Sequence, residues 1–157
     1  AALVTGAGSG IGRATALRLA REGARIAIGD VDEAGLARTA ELMPGGADVL
    51  HRRLDVSDEA DVERFVGETA ARFGRLDAIC NVAGIFSGDL SPVTEADIAV
   101  WERIMAVNVY GVMFGTKHAA RIMRAQESGA IVNVASVAGI RSGAGGNAYS
   151  ASKAAVI

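Results

Sequence analysis

A hydroxyl, a phenol and an amine fall within the last stretch of the chain. Ser136 follows an apolar run, and Tyr149 and Lys153 bracket Tyr149-Ser150-Ala151-Ser152-Lys153. On a helix, residues four apart share a face one turn from each other. A phenol titrates near pH ~10 in isolation, and a fixed cation beside it favours the phenolate, so the pair could act as a tuned acid or base at neutral pH. An exposed helix start with an incidental tyrosine and lysine would look the same. Against that, the chain has only two lysines and two tyrosines, and one of each falls in this register.

A second pattern lies at the other end. Gly6-Ala7-Gly8-Ser9-Gly10-Ile11-Gly12 joins an apolar strand to a helical pattern. Such a turn lets backbone amides approach a pyrophosphate while the helix N-terminus favours its charge. A literal G-x-G-x-x-G fails, because position 11 is Ile11; the loop is Thr5-Gly6-x-x-x-Gly10-x-Gly12. A turn that only packs helix on strand remains an alternative. Asp30, twenty residues after Gly10, ends the next strand, where a carboxylate can accept hydrogen bonds from ribose hydroxyls. That favours NAD over NADP, whose 2'-phosphate would meet a like charge, although Arg13 or Arg38 nearby would soften the preference. A solvated strand-end aspartate is the plainer alternative.

The bulk numbers fit one globular unit. The 157 residues are 50% apolar and 22% charged with a net charge of -2, enough for a sizeable core and without the basic patch that nucleic acid or an anionic membrane requires. One cysteine, Cys80, cannot form an internal disulfide, which fits a reducing, cytoplasmic setting, and after Ala78-Ile79 it reads as a buried strand residue. His51 and His118 stand alone, so no metal site is expected. No apolar run approaches the ~20 residues of a membrane span. The sequence starts almost at the glycine loop and stops inside a helical pattern, so a piece of a longer chain is expected.

These residues need strands and helices in alternation. The pattern predicts a strand over Ala1 to Thr5 and a helix from Ile11 to near Gly23. A strand from Arg25 to Gly29, closed by Asp30, precedes a helix from Leu36 to Met43 with Asp32 as N-cap. Val49 to Leu54, interrupted by His51-Arg52-Arg53, reads as a weak edge strand, followed by a helix from Asp58 to Phe73 that Gly74 ends. Leu76 to Cys80 and Gly129 to Ala135 are further strands. Between them come a loop through Thr94 and one long helix from Asp97 to Gln126, where Gly111 and Gly115 permit close packing. Ser136 to Gly146 reads as a loop. Repeated strand–helix–strand units predict an α/β fold with a doubly wound parallel sheet of Rossmann type, one domain over 1–157, breaking off after the fifth strand and the start of its helix.

The glycine loop, Asp55-Val56, Asn81-Val82-Ala83-Gly84, Asn108, Ser136 and Tyr149 with Lys153 occur in the order and spacing of one family. The chain resembles the classical short-chain dehydrogenase/reductases over all 157 residues, departing mainly at Val82, where a small polar residue is commoner. The resemblance implies that Gly6, Ser9, Gly10, Ile11 and Gly12 line the pyrophosphate and that Asp30 and Val31 hold the adenosine ribose. Asp55 and Val56 would contact adenine, and Asn81, Ala83 and Gly84 would pack along the cofactor. Ser136 would bind the substrate oxygen and Tyr149 would exchange its proton. Lys153 would lower the Tyr149 pKa and bind the nicotinamide ribose, and Asn108 would hold a water joining Lys153 to solvent. Plainer readings stay open: Asp55 as an N-cap, Ser136 as a turn residue, Asn108 as a partner for a backbone carbonyl.

The expected function is NAD-dependent hydride transfer between a secondary alcohol and its ketone, by an alcohol dehydrogenase or carbonyl reductase that forms a homodimer or homotetramer at full length. A non-catalytic dinucleotide-binding module and an inactive structural fragment are the rivals. The isolated 157 residues are expected to be poorly soluble or inactive, because a sheet ending at the fifth strand leaves an open edge.

Overall fold

A computed structural model of the chain describes residues 1–88, 90–141 and 144–157. The loops expected across Asp89 and across Ser142 and Gly143 lie, at those positions, outside the described residues. Five strands, β1 (Ala2–Thr5), β2 (Ile26–Asp30), β3 (Val49–Arg53), β4 (Ala78–Asn81) and β5 (Ala130–Asn133), form one parallel sheet in the order β3-β2-β1-β4-β5. The helices are α1 (Gly10–Arg21), α2 (Glu33–Glu41), α3 (Glu59–Phe73), α4 (Ile98–Met105), α5 (Gly111–Ala125) and α6 (Asn147–Val156).

β1, β2 and β4 alternate their side chains between two cores. On one face Ala2, Val4, Ile26, Ile28 and Cys80 pack with Ala16 and Ala20 of α1 and Leu36 of α2. On the other, Leu3, Ala27 and Ile79 meet Val62, Phe65 and Phe73 of α3 and Ala119 and Met123 of α5. A strand buried on both sides must be apolar throughout, which is why β1, β2 and β4 read as near-continuous apolar runs. Cys80 is buried, and burial pushes its thiol pKa up. β3 takes the edge position its charged residues predicted, and β5 forms the other edge, with Val132 half exposed.

Caps set the helix limits. Asp32 caps α2 by accepting from the Gly35 amide at 3.0 Å, so the helix starts at Glu33, three residues before its apolar pattern does. Asp58 caps α3 and left-handed Gly74 ends it. Asp55 is therefore no N-cap; its carboxylate turns back to the Ser57 amide and hydroxyl. Gln126 holds the Leu76 backbone from both sides (3.0 and 2.8 Å), and β4 begins two residues later than the apolar pattern suggests. The expected long helix is continuous from Ile98 to Ala125 but passes through a π-helical turn at Ala106–Tyr110, centred on Asn108. Gly111 and Gly115 bring it close to Val56 and to the Asn81 carboxamide, where a Cβ would collide.

Asp61 ties α3 to the loop after β3. Its carboxylate accepts from the Asp55 amide (2.9 Å), Arg52 (2.6 Å) and Arg64 (2.7 Å). Burial pushes its pKa up, but the Arg64 and Asp55 hydrogen bonds and the Arg52 charge outweigh that and hold it below the usual carboxylate range. A depressed carboxylate contributes stability above its unfolded pKa near ~3.9 and loses it as pH falls through the folded value. Asp61→Asn is expected to cost about 2 kcal/mol at pH 7, with the gap closing toward pH 3 in urea titrations at the two pH values.

Candidate active site

The carboxyl ends of β1, β2, β4 and β5 border a cleft of about 930 Å³. It lies where the strand order reverses between β1 and β4, the place where open α/β sheets bind ligands. Gly6 has φ +67°, and a Cβ there would meet the Ala83 backbone at 2.7 Å; a Cβ at Gly12 would run into the Gly6 carbonyl. Only glycine permits this packing. Ser9, at the N-cap of α1, makes no side-chain cap, and the first turn has no acidic residue. Among the described residues no side chain caps the first amides of α1, and Gly6, Ser9, Gly10, Ile11 and Gly12 all border the cleft. An uncapped helix start behind a glycine cradle fits a phosphate-bearing cofactor.

Asp30 also lines the cleft. Its carboxylate accepts from the Gly8 amide (2.8 Å) and the Asp32 amide (3.0 Å), so it braces the glycine loop while facing solvent. Gly8 must be small, since a Cβ would lie 2.9 Å from the Asp30 Oδ2. Neither arginine considered from the sequence pairs with Asp30. Arg13 donates to Thr39 and the Gly8 carbonyl, and Arg38 pairs with Glu41. Val31, Asp55, Val56, Ala83 and Gly84 continue the wall. Thr5, at the end of β1, accepts from the Val82 and Ala83 amides at 3.1 and 3.2 Å and fixes that segment.

Ser136, Tyr149 and Lys153 line the same cleft. Ser136 Oγ accepts from the Ala138 amide at 3.2 Å, and its own proton has no acceptor among the described residues. Lys153 is buried, donates to the Val134 carbonyl at 2.9 Å and sits 5.8 Å from the Tyr149 ring centroid. Burial pushes its pKa down. A free hydroxyl donor, a phenol and a desolvated amine on one wall can bind a substrate oxygen and exchange its proton.

Two expected site residues stand apart. Asn81 belongs to β4, is buried, and donates to Asn133 at 2.8 Å and Thr116 at 3.4 Å, so it packs inside the protein rather than along the cleft. Asn108 also lies behind the wall. Its Oδ1 accepts from the Ile85 amide (2.8 Å), and its Nδ2 donates to the Ile85 carbonyl (3.0 Å) and to Ser152 Oγ (3.0 Å). These bonds tie the carboxamide to the Ile85 backbone and to α6. Ser152, missed from the sequence, relays this contact by donating to the Tyr149 carbonyl at 2.7 Å. Its signal was a small hydroxyl three residues after Tyr149, placed to bond back along a helix. Leu54, Phe86, Arg103 and Val107 also line the cleft without a motif to announce them. Among the described residues no side-chain group could hold a metal, and no helix is long and apolar enough to cross a membrane.

Residues 1–157 match the short chain dehydrogenase family, and the chain belongs to it. Levodione reductase of Leifsonia aquatica is 45% identical over 99% of this chain and 59% of its own length. Cis-4-hydroxycyclohexanecarboxylate dehydrogenase of Sinomonas cyclohexanicum is 44% identical over 99% of this chain and 62% of its own. The solved structure of a short chain dehydrogenase/reductase from Burkholderia phymatum in complex with NAD superimposes with a TM-score of 0.92 at 41% identity, over 99% of this chain and 55% of that one. The chain thus spans about three fifths of the length of these relatives. By their names the two enzymes are a reductase and a dehydrogenase, and the Burkholderia phymatum structure holds NAD.

The buried amine has a pH signature. A lysine whose folded pKa is depressed opposes folding while charged, so its full contribution appears only above the unfolded value near ~10.4 and is lost as pH falls through the folded one. Lys153→Met removes that dependence. Wild-type stability is expected to rise relative to the variant between pH 7 and pH 10, as read by urea unfolding at both.

Proposed function

We propose that the full-length protein is an NAD-preferring oxidoreductase that interconverts a secondary alcohol and its ketone, with Tyr149 as the proton-exchanging group. The observation that carries this reading is the desolvated Lys153 ammonium 5.8 Å from the Tyr149 ring, on the same wall as the free Ser136 hydroxyl. A binding module has no use for such a set.

In this reading Gly6, Ser9, Gly10, Ile11 and Gly12 hold the pyrophosphate, Asp30 and Val31 the adenosine ribose, and Asp55 and Val56 the adenine. Ala83 and Gly84 flank the middle of the cofactor, and Lys153 reaches the second ribose. When bound, the nicotinamide accepts or returns the hydride. Ser136 donates a hydrogen bond to the substrate oxygen. Tyr149 takes the hydroxyl proton in oxidation and gives it back in reduction, and the Lys153 charge favours its phenolate. Asn108 and Ser152 position Tyr149 from behind. The Asp30 carboxylate opposes a 2'-phosphate, which supports NAD over NADP. The name of the Sinomonas relative, a hydroxycyclohexanecarboxylate dehydrogenase, supports a ring-bearing secondary alcohol. A homodimer or homotetramer joined along α4, α5 and α6 would cover Ile98, Tyr110 and Met113, which are exposed. The single unpaired cysteine among these residues supports a reducing, cytoplasmic setting.

A panel of secondary alcohols and ketones with NAD and with NADP tests the reading on the full-length protein. Tyr149→Phe is expected to lose turnover at least ~100-fold while still binding NAD. A variant that keeps most of its activity rules out the mechanism, and higher kcat/KM with NADP rules out the role given to Asp30.

A further inference from the structure

We infer that Phe86 is a positioning and specificity-determining residue: its ring steadies the Tyr149 phenol and offers the substrate an apolar face, selecting alcohols that carry a ring. The inference rests on the proposed role of Tyr149. The two rings lie 5.2 Å apart with planes at 74°, an edge-to-face pair of the kind aromatic side chains prefer. Phe86 nonetheless remains 53% exposed, and it borders the same cleft as Ser136, Tyr149 and Lys153. A large apolar side chain left half in water beside three polar groups presents surface that an apolar substituent can cover.

The backbone that carries it is fixed. Asn108 grips both the amide and the carbonyl of Ile85, the residue before Phe86, and through Ser152 the same carboxamide reaches the Tyr149 carbonyl. One buried side chain therefore sets the roots of both rings. On its other sides the Tyr149 ring meets the Lys153 ammonium at 5.8 Å and Gly145, where a Cβ would lie 3.0 Å from the ring. Phe86 supplies the contact that limits rotation of the phenol from the substrate side.

The test uses the full-length protein with NAD, cyclohexanol and 2-butanol. Phe86→Leu keeps the apolar bulk but loses the ring, and it is expected to lower kcat for both alcohols about fivefold; Phe86→Tyr keeps the ring and is expected to stay within about twofold of wild type. Phe86→Ala is expected to raise KM for cyclohexanol about tenfold and for 2-butanol much less. If the Ala variant does not fold, the Leu and Tyr pair still decides the positioning role and the KM shift in the Leu variant decides selectivity. Equal kcat in the Leu and Tyr variants overturns positioning. Equal KM shifts for the two alcohols, or a wild type that turns over 2-butanol and leaves cyclohexanol untouched, overturn the preference for a ring. Tyr149→Phe run in parallel separates the claims: if it stays active the role of Tyr149 falls, and if it is dead while Phe86→Leu matches wild type only the role of Phe86 falls.

Discussion

One carboxamide joins the segment after β4 to α6 at one end of the cleft. Asn108 is fully buried and uses both donors and its acceptor on Ile85 and Ser152. A buried amide left half satisfied would be strongly unfavourable, so the geometry of all three partners is constrained together. The π-helical turn is the backbone's response. Such turns occur mostly as single interruptions at functional sites, and here the turn is centred on the residue that joins the loop after β4 to α6. Tyr149 and Lys153 share a face of α6, and that junction fixes the helix against the loop.

Charge is placed at separate points along the cleft. At one end the uncapped start of α1 offers amides and partial positive charge, and Asp30 braces the loop beside it. At the other end Lys153 has been taken out of water, with the Val134 carbonyl as its one hydrogen-bond partner among the described residues. Burial of an ammonium works against folding, and groups tuned in this way gather where chemistry is done. Between the two ends the wall is small and apolar, which lets backbone come close to a ligand. Gly8 is required for that closeness, since a Cβ there would lie 2.9 Å from the Asp30 Oδ2.

Asn81 shows how a site motif can also be framework. Its Nδ2 links β4 to Asn133 of β5, while its Oδ1 is buried against Gly115 without a hydrogen-bond partner among the described groups. The two-sided packing of the sheet explains its orientation. As the last residue of β4, Asn81 points to one face by the period-two rule, and that face is the one under α5 rather than the open cleft.

The sequence alone determined the order of strands and helices, the parallel sheet, the edge position of β3 and the caps at Asp32 and Gly74, because periodicity and capping are local. It also singled out the glycine loop, Asp30, Ser136, Tyr149 and Lys153, since unusual residues at fixed spacing carry their own signal. Only the tertiary structure decided that Asn81 and Asn108 turn inward, that Asp58 rather than Asp55 caps α3, that the long helix carries a π turn, and that Ser152 and Phe86 belong with Tyr149. Those outcomes depend on which groups meet across elements distant in sequence, where one hydrogen-bond partner excludes another. No window along the chain contains that competition.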